Sequence, residues 1–105
     1  MLIYNVTVKL EHEIHEDWVN WMMKKHISDV LTTGCFISAR VSLVQVDDTD
    51  GPTYSIQYSC ESQEKLDQYF DNYASALREE HNARYGTKAL PFRTILEVVA
   101  DVFPR

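Results

Sequence analysis

Apolar residues in this chain recur in two periods, and the order in which those periods follow one another leaves few folds open. Leu2, Tyr4, Val6, Val8 and Leu10 alternate with Ile3, Asn5, Thr7 and Lys9, which is the period-two pattern of a strand with one apolar and one mostly polar face. Residues 14–31 then change to a helical period. At about 100° per residue, Trp18, Val19, Met22 and Val30 share one arc, His15 and His26 fall inside it, and Trp21 lies on the opposite flank. Gly34, after Thr32 and Thr33, is placed as a helix stop.

Residues 35–46 read as a second strand, with Cys35, Ile37, Ala39, Val41 and Leu43 as its apolar set. Asp47, Asp48, Thr49, Asp50, Gly51 and Pro52 form the densest turn signal, with Asp50-Gly51 as the expected hairpin tip. Residues 53–60 alternate again. A two-residue turn there sets Val41 against Cys60 and Leu43 against Tyr58, so both apolar sets share a face. Cys35 and Cys60 are then far apart along the hairpin, which predicts two buried free thiols. Ser62 is a good N-cap for a second helix running to about Tyr85, with Leu66, Phe70, Tyr73, Ala74 and Leu77 on a stripe that continues into His81 and Arg84. Gly86 ends it. A last strand is expected over residues 92–103, with Thr94, Leu96, Val98 and Ala100 on one face and Arg93, Ile95, Glu97 and Val99 on the other.

This β-α-β-β-α-β order predicts an α+β fold of the ferredoxin-like kind, a four-stranded antiparallel sheet with two helices on one face, built as one domain over residues 1–105. The other face would carry Ile3, Asn5, Thr7, Phe36, Arg40, Val44, Ser55, Gln57, Arg93, Ile95 and Val99. Ile3, Phe36, Ile95 and Val99 are too apolar to be exposed together, so a homodimer packed through the open sheet face is expected. Arg40, Arg93 and Glu97 would lie between the subunits as ion pairs or ligand contacts.

Net charge is −6 and the basic residues are scattered singly, which argues against a nucleic-acid or anionic membrane partner. No apolar run approaches the roughly 20 residues of a membrane span, and the opening residues do not resemble a signal peptide, so a cytoplasmic protein is expected. His12 and His15 with Glu11, Glu13 and Glu16 crowd one corner, but no second cluster completes a coordination sphere, and no metal is expected.

The candidate chemistry sits where the helices end their apolar faces. His26 and His81 would lie side by side, either each hydrogen-bonded to a partner at the core rim or acting as a proton-transferring or ligand-orienting pair, because a half-buried imidazole titrates near neutral pH. Arg84, one turn after His81, would hold a carboxylate or pair with Glu79 or Glu80. Trp21 and Met22 would be core and interface packing or the wall of a ligand pocket, Asn5 would point between the sheets, and Tyr54 would tether its hydroxyl to the helices.

Several motifs also carry a resemblance: IYNVTV near the start, Trp18, Trp21, Met22, His26 and Ile27 in the first helix, TGCFISAR at 33–40, YSIQY at 54–58, EEHNARYG at 79–86 and FRTILEV at 92–98. Together they resemble a small bacterial domain family of the dimeric α+β barrel superfamily, which also holds antibiotic-biosynthesis-monooxygenase-like and haem-degrading proteins. The resemblance implies the fold and a dimer. Haem-degrading members use an asparagine on the first strand, a tryptophan on or near the third and a histidine on the second helix. Asn5 and His81 match by element, but this chain has Tyr54, Ile56 and Tyr58 where the tryptophan would be, which argues against haem, and no cofactor is expected.

The functional expectation is a domain that binds a small hydrophobic or amphipathic molecule, extending to a cofactor-independent monooxygenase- or isomerase-like enzyme. His26 or His81 would be the base and Arg84 the anion holder. The alternative is a non-catalytic structural or regulatory homodimeric module.

Overall fold

A computed structural model describes residues 1–47 and 49–105. Strand β1 (Leu2–Leu10) lies inside a four-stranded sheet of order β2-β3-β1-β4, with β2 (Ser38–Leu43), β3 (Thr53–Cys60) and β4 (Ala89–Glu97); every neighbouring pair is antiparallel. The alternation in β1 places Leu2, Tyr4, Val8 and Leu10 in the core beside Ile56, Tyr58 and Cys60 of β3. The fold is ferredoxin-like, as the order of periods implies. Among the described residues, no helix is long and apolar enough to cross a membrane.

The first helical rod comprises a 3-10 turn (His12–Ile14), α1 (His15–Trp21), one π-helical turn (Met22–His26) and α2 (Ile27–Thr32). The π turn corrects the sequence-based placement. On a uniform helix at about 100° per residue, Ile27 would lie half a turn from Trp18. Here the Ile27 N–H reaches the Met22 carbonyl five residues back, and the extra residue takes back about 100°. Trp18, Met22, Ile27 and Val30 all end up buried on one face. Trp21, expected on the far flank, is buried too, because the second helical rod closes over it. Gly34 ends the rod at φ +79°.

The second rod is capped by Ser62, whose hydroxyl accepts the Lys65 N–H at 3.2 Å. It is broken into α3 (Gln63–Asn72) and α4 (Ala74–Tyr85) at Tyr73, where φ is −129°. The break rephases the stripe. Leu66, Tyr69, Ala74, His81 and Tyr85 are buried, while Tyr73 and Arg84, expected on that stripe, are exposed.

Strand β2 is shorter than expected, and its register differs. Val41 faces Ile56 and Leu43 faces Tyr54, not Cys60 and Tyr58. The shift is an even number of residues, so the apolar sets still share a face. Its cause is Gly51, which is not a hairpin tip. The Leu10 N–H donates to the Pro52 carbonyl at 2.9 Å, and a Cβ on Gly51 would sit 1.8 Å from the Leu10 carbonyl oxygen. The connection is thus pulled onto the end of β1; of the expected turn, Asp48 lies outside the described residues. With the new register, Cys60 Sγ comes within 3.4 Å of the Cys35 backbone carbonyl, so the two residues are neighbours; both are buried and free.

Strand β4 starts earlier than expected and shows the opposite face. Ala89, Pro91, Arg93, Ile95 and Glu97 sit opposite Leu10, Val8, Val6, Tyr4 and Leu2, on the helix side. Arg93, Ile95 and Glu97 therefore leave the open face, and Leu90, Phe92, Thr94 and Leu96 take their place. Phe36 leaves it as well, packing at 4.8 Å from Tyr69 and 5.3 Å from Tyr58 between ring centroids. Val99 lies beyond the sheet. The open face thus has a polar centre bordered by an apolar edge. Ser55 donates to Asn5 Oδ1 at 2.8 Å, and Asn5 Nδ2 donates to Thr94 at 3.2 Å; Phe92 beside them is 68% exposed.

The two glycines separate strain from collision. Gly34 has a positive φ but open space around a Cβ, so Gly34→Ala should cost about 1 kcal/mol. Gly51→Ala meets immovable backbone at φ +129° and should cost about 3 kcal/mol or more in urea denaturation. Equal losses would contradict the docking of Gly51 and Pro52 on β1.

Candidate functional site

The two rods meet over β1 along their aromatic seam. The Trp18 indole N–H donates to His81 Nε2 at 2.9 Å with both side chains buried. An acceptor at Nε2 places the His81 proton on Nδ1 and makes the ring neutral. The His26 ring lies 5.9 Å from the His81 ring and 5.1 Å from Trp21 between centroids, so the expected histidine pair forms. The π turn contributes to this, since His26 is its last residue. His26 Nδ1 is buried without a hydrogen-bond partner among the described residues.

Beneath the histidines, a cavity of about 40 Å³ lies between helices and sheet, lined by Met22, His26, His81, Tyr4, Tyr58, Tyr69, Arg78 and Arg93, with Val6, Val8, Val30, Ile56, Leu77 and Pro91 as its apolar wall. That volume holds ordered water or a group of a few heavy atoms. Arg78 Nη2 donates to the Tyr4 hydroxyl at 3.0 Å, while its Nε is buried without a partner among the described residues.

The other expected residues are dispersed. Arg84 does not reach the cavity. Its guanidinium lies 5.5 Å from the Trp21 ring centroid and 5.6 Å from that of Tyr85, and it pairs with Asp17 of α1 at 3.3 Å, not with Glu79 or Glu80. The Tyr85 hydroxyl donates to the same Asp17 carboxylate at 2.8 Å, so this cluster closes the outer side of the seam over Trp21. Glu80 is held by Lys25 at 3.0 Å. Tyr54 bonds His15 Nε2 at 2.7 Å beside Trp18, away from the histidine pair. Asn5 is on the opposite face of the sheet. His12 turns to the Thr49 carbonyl, and among the described residues no group of three metal-ligating side chains forms.

Sequence reasoning missed Arg78, Tyr4 and Tyr69 as cavity residues and placed Arg93, expected as an ion pair or ligand contact, on the wrong face of the sheet. Arg78 and Tyr69 fall one position off the predicted stripe and enter through the break at Tyr73. Arg93 was not legible from alternation, which favours Leu90, Phe92 and Leu96 as the core set of β4; only pairing with β1 turns Arg93 to the helix side.

Residues 1–99 match the family described as "Domain of unknown function (DUF4286)", and the chain belongs to that family. No curated protein matches the sequence. Among solved structures, a monooxygenase of Streptomyces coelicolor (ActVA-Orf6, in complex with the ligand nanaomycin D) superposes at TM-score 0.71 with 18% identity, covering 99% of this chain and 92% of that one. A dimeric ferredoxin-like protein from an uncultured marine organism superposes at 0.69 with 10% identity, covering 96% and 97%. An "ethyl tert-butyl ether d (ethd) family protein" from Bacillus halodurans superposes at 0.66 with 12% identity, covering 94% and 100%. At these identities the likeness establishes the fold.

Burial holds the imidazoles neutral. His81 is lowered to about 4, by desolvation first and then by the charges of His26 and Arg93; His26 is lowered too, again mainly by burial. A depressed folded-state value means that His81 costs no stability above its ordinary value near 6.5. Stability then falls as the unfolded chain takes up the proton, between about pH 6.5 and 4, by roughly 3 kcal/mol in all. His81→Gln keeps an acceptor for the Trp18 indole and removes the titration. Between pH 7 and pH 4.5, the wild type should lose about 2 kcal/mol more than this variant in urea unfolding. Parallel pH profiles would refute a neutral, indole-bonded His81.

Proposed function

We propose that this DUF4286-family protein is a homodimer whose subunits each bind a small amphipathic molecule at the histidine-lined cavity between helices and sheet. The observation carrying this reading is that buried polar atoms converge there unsatisfied. His26 Nδ1 and Arg78 Nε have no partner among the described residues, and an orphaned buried polar group costs about 1–3 kcal/mol. A bound molecule or ordered water meets that cost. The tail of an amphipathic guest would extend past the roughly 40 Å³ cavity toward exposed Arg93 on the β4 edge.

His26 is the candidate base and His81 its neutral neighbour. With Nε2 committed to Trp18, His81 is the poorer proton acceptor at neutral pH. Proton abstraction by His26 is the step shared by isomerisation and by oxygenation without a cofactor, the chemistries this reading includes. Trp21 and Met22 act as wall, and Arg84 as the clasp that keeps Trp21 in place. Two of the superposed structures, a dimeric ferredoxin-like protein and a monooxygenase, lend the reading support through their shared fold. The competing reading is a non-catalytic homodimeric module. The small cavity volume and the structural use of His81 favour it.

The dimer would form through the open sheet face, where Leu90, Phe92 and Leu96 border the Asn5 hydrogen-bond cluster. Native mass spectrometry should show a dimer for the wild type and a monomer for Phe92→Glu; a Phe92→Glu dimer would sink the sheet-face interface. Small molecules released from the purified wild type should include a reproducible species missing from His26→Phe, in which the larger ring fills the cavity. Identical complements from both proteins would transfer the argument to the non-catalytic module.

A further inference from the structure

The cavity described above is cationic, and this feature names the class of its occupant. Arg78 and Arg93 both line it, one from α4 and one from β4. Among the described residues neither guanidinium forms a salt bridge, although all four cations that do (Lys9, Lys25, Arg84 and Lys88) are at the surface. The acids closest to the histidines are already engaged, since Lys25 holds Asp29 at 2.7 Å and Glu80 at 3.0 Å. No carboxylate lines the cavity among the described residues; the other polar groups there are phenols and imidazoles. Arg78 spends one donor on the Tyr4 hydroxyl and stacks 5.5 Å from the Phe70 ring centroid, which orients it and leaves its Nε unmatched.

Resting on the cavity-binding reading, we propose that the occupant is an organic monoanion, its carboxylate or enolate head seated between Arg78 and Arg93 beneath His26 and His81. The half-buried Arg78 charge, with its Nε unmatched and no counter-ion among the described residues, is costly, and an anion of matching fork geometry that Arg93 helps to hold from the mouth relieves that cost. The cavity admits a head of carboxylate size and excludes a whole amphipathic acid, so the apolar remainder leaves past Arg93, which is exposed at the cavity's mouth. The anion-holding task assigned to Arg84 on sequence grounds passes to these two arginines, because Arg84 is neutralised by Asp17.

Acetate and acetamide differ in charge at nearly equal size, and the Trp18 indole N–H, bonded to His81 at the cavity roof, gives one of the chain's two indole NMR signals. Titrated at constant ionic strength against chloride, acetate should shift that signal saturably in the millimolar range. Arg78→Gln and Arg93→Gln should each weaken this at least tenfold, while Arg93→Lys, which keeps the charge, should weaken it less. A saturable shift with acetamide equal to that with acetate would overturn the anion assignment and leave a neutral guest in the same cavity. Failure of both probes to shift it would overturn the anion and the cavity-binding reading together.

Discussion

The contact from the Trp18 indole to His81 Nε2 ties the two helical rods together at the point where both lie on the sheet. An indole is a donor only, so its partner must be an acceptor, and a protonated imidazole has no acceptor to give. Folding therefore selects one tautomer and one charge state for His81. The choice also differentiates the two histidines. His81 becomes part of the packing, in edge contact with the Trp18 ring at 6.5 Å, while His26 across from it keeps a nitrogen unclaimed among the described residues. A residue pair that looks symmetric in sequence is thus asymmetric in chemistry.

That asymmetry depends on the π turn at Met22–His26. One added residue rotates everything after it, so that α2 continues to bury the face that α1 began. Such turns cost helical hydrogen-bond geometry and are frequent at functional sites. Here the turn brings His26 to the seam and lets Ile27 and Val30 join Trp18 in the core. On the outside, Asp17, Arg84 and Tyr85 bridge α1 to α4 across the Trp21 ring. The seam is consequently held by a buried bond below and a solvent-facing cluster above.

Strand β4 serves two surfaces at once. Its helix-side residues bring Arg93 to the cavity, and its alternate residues give the open face its apolar edge at Leu90, Phe92 and Leu96. The same pleat that aims one side chain at the cavity aims the next at the open face of the sheet. Cavity and proposed interface are therefore coupled through one strand, with Pro91 tolerated because β4 is an edge.

What the sequence determined by itself is what periodicity and local chemistry encode: the order of elements, the core faces of β1 and β3, the Ser62 cap, and the helix stops at Gly34 and Gly86. It also brought Trp21, Met22, His26 and His81 into one neighbourhood, since each closes or flanks an apolar face. What it left open is phase. A period tells which residues share a face only until an extra residue or a break intervenes. The π turn and the interruption at Tyr73 each reset the count, and β4 turns its less apolar set to the helices. Those choices belong to the tertiary structure because each is decided by a distant partner. Trp21 is buried by α4, the register of β2 follows from Gly51 docking on Leu10, and Arg93 is assigned its side by pairing with Val6.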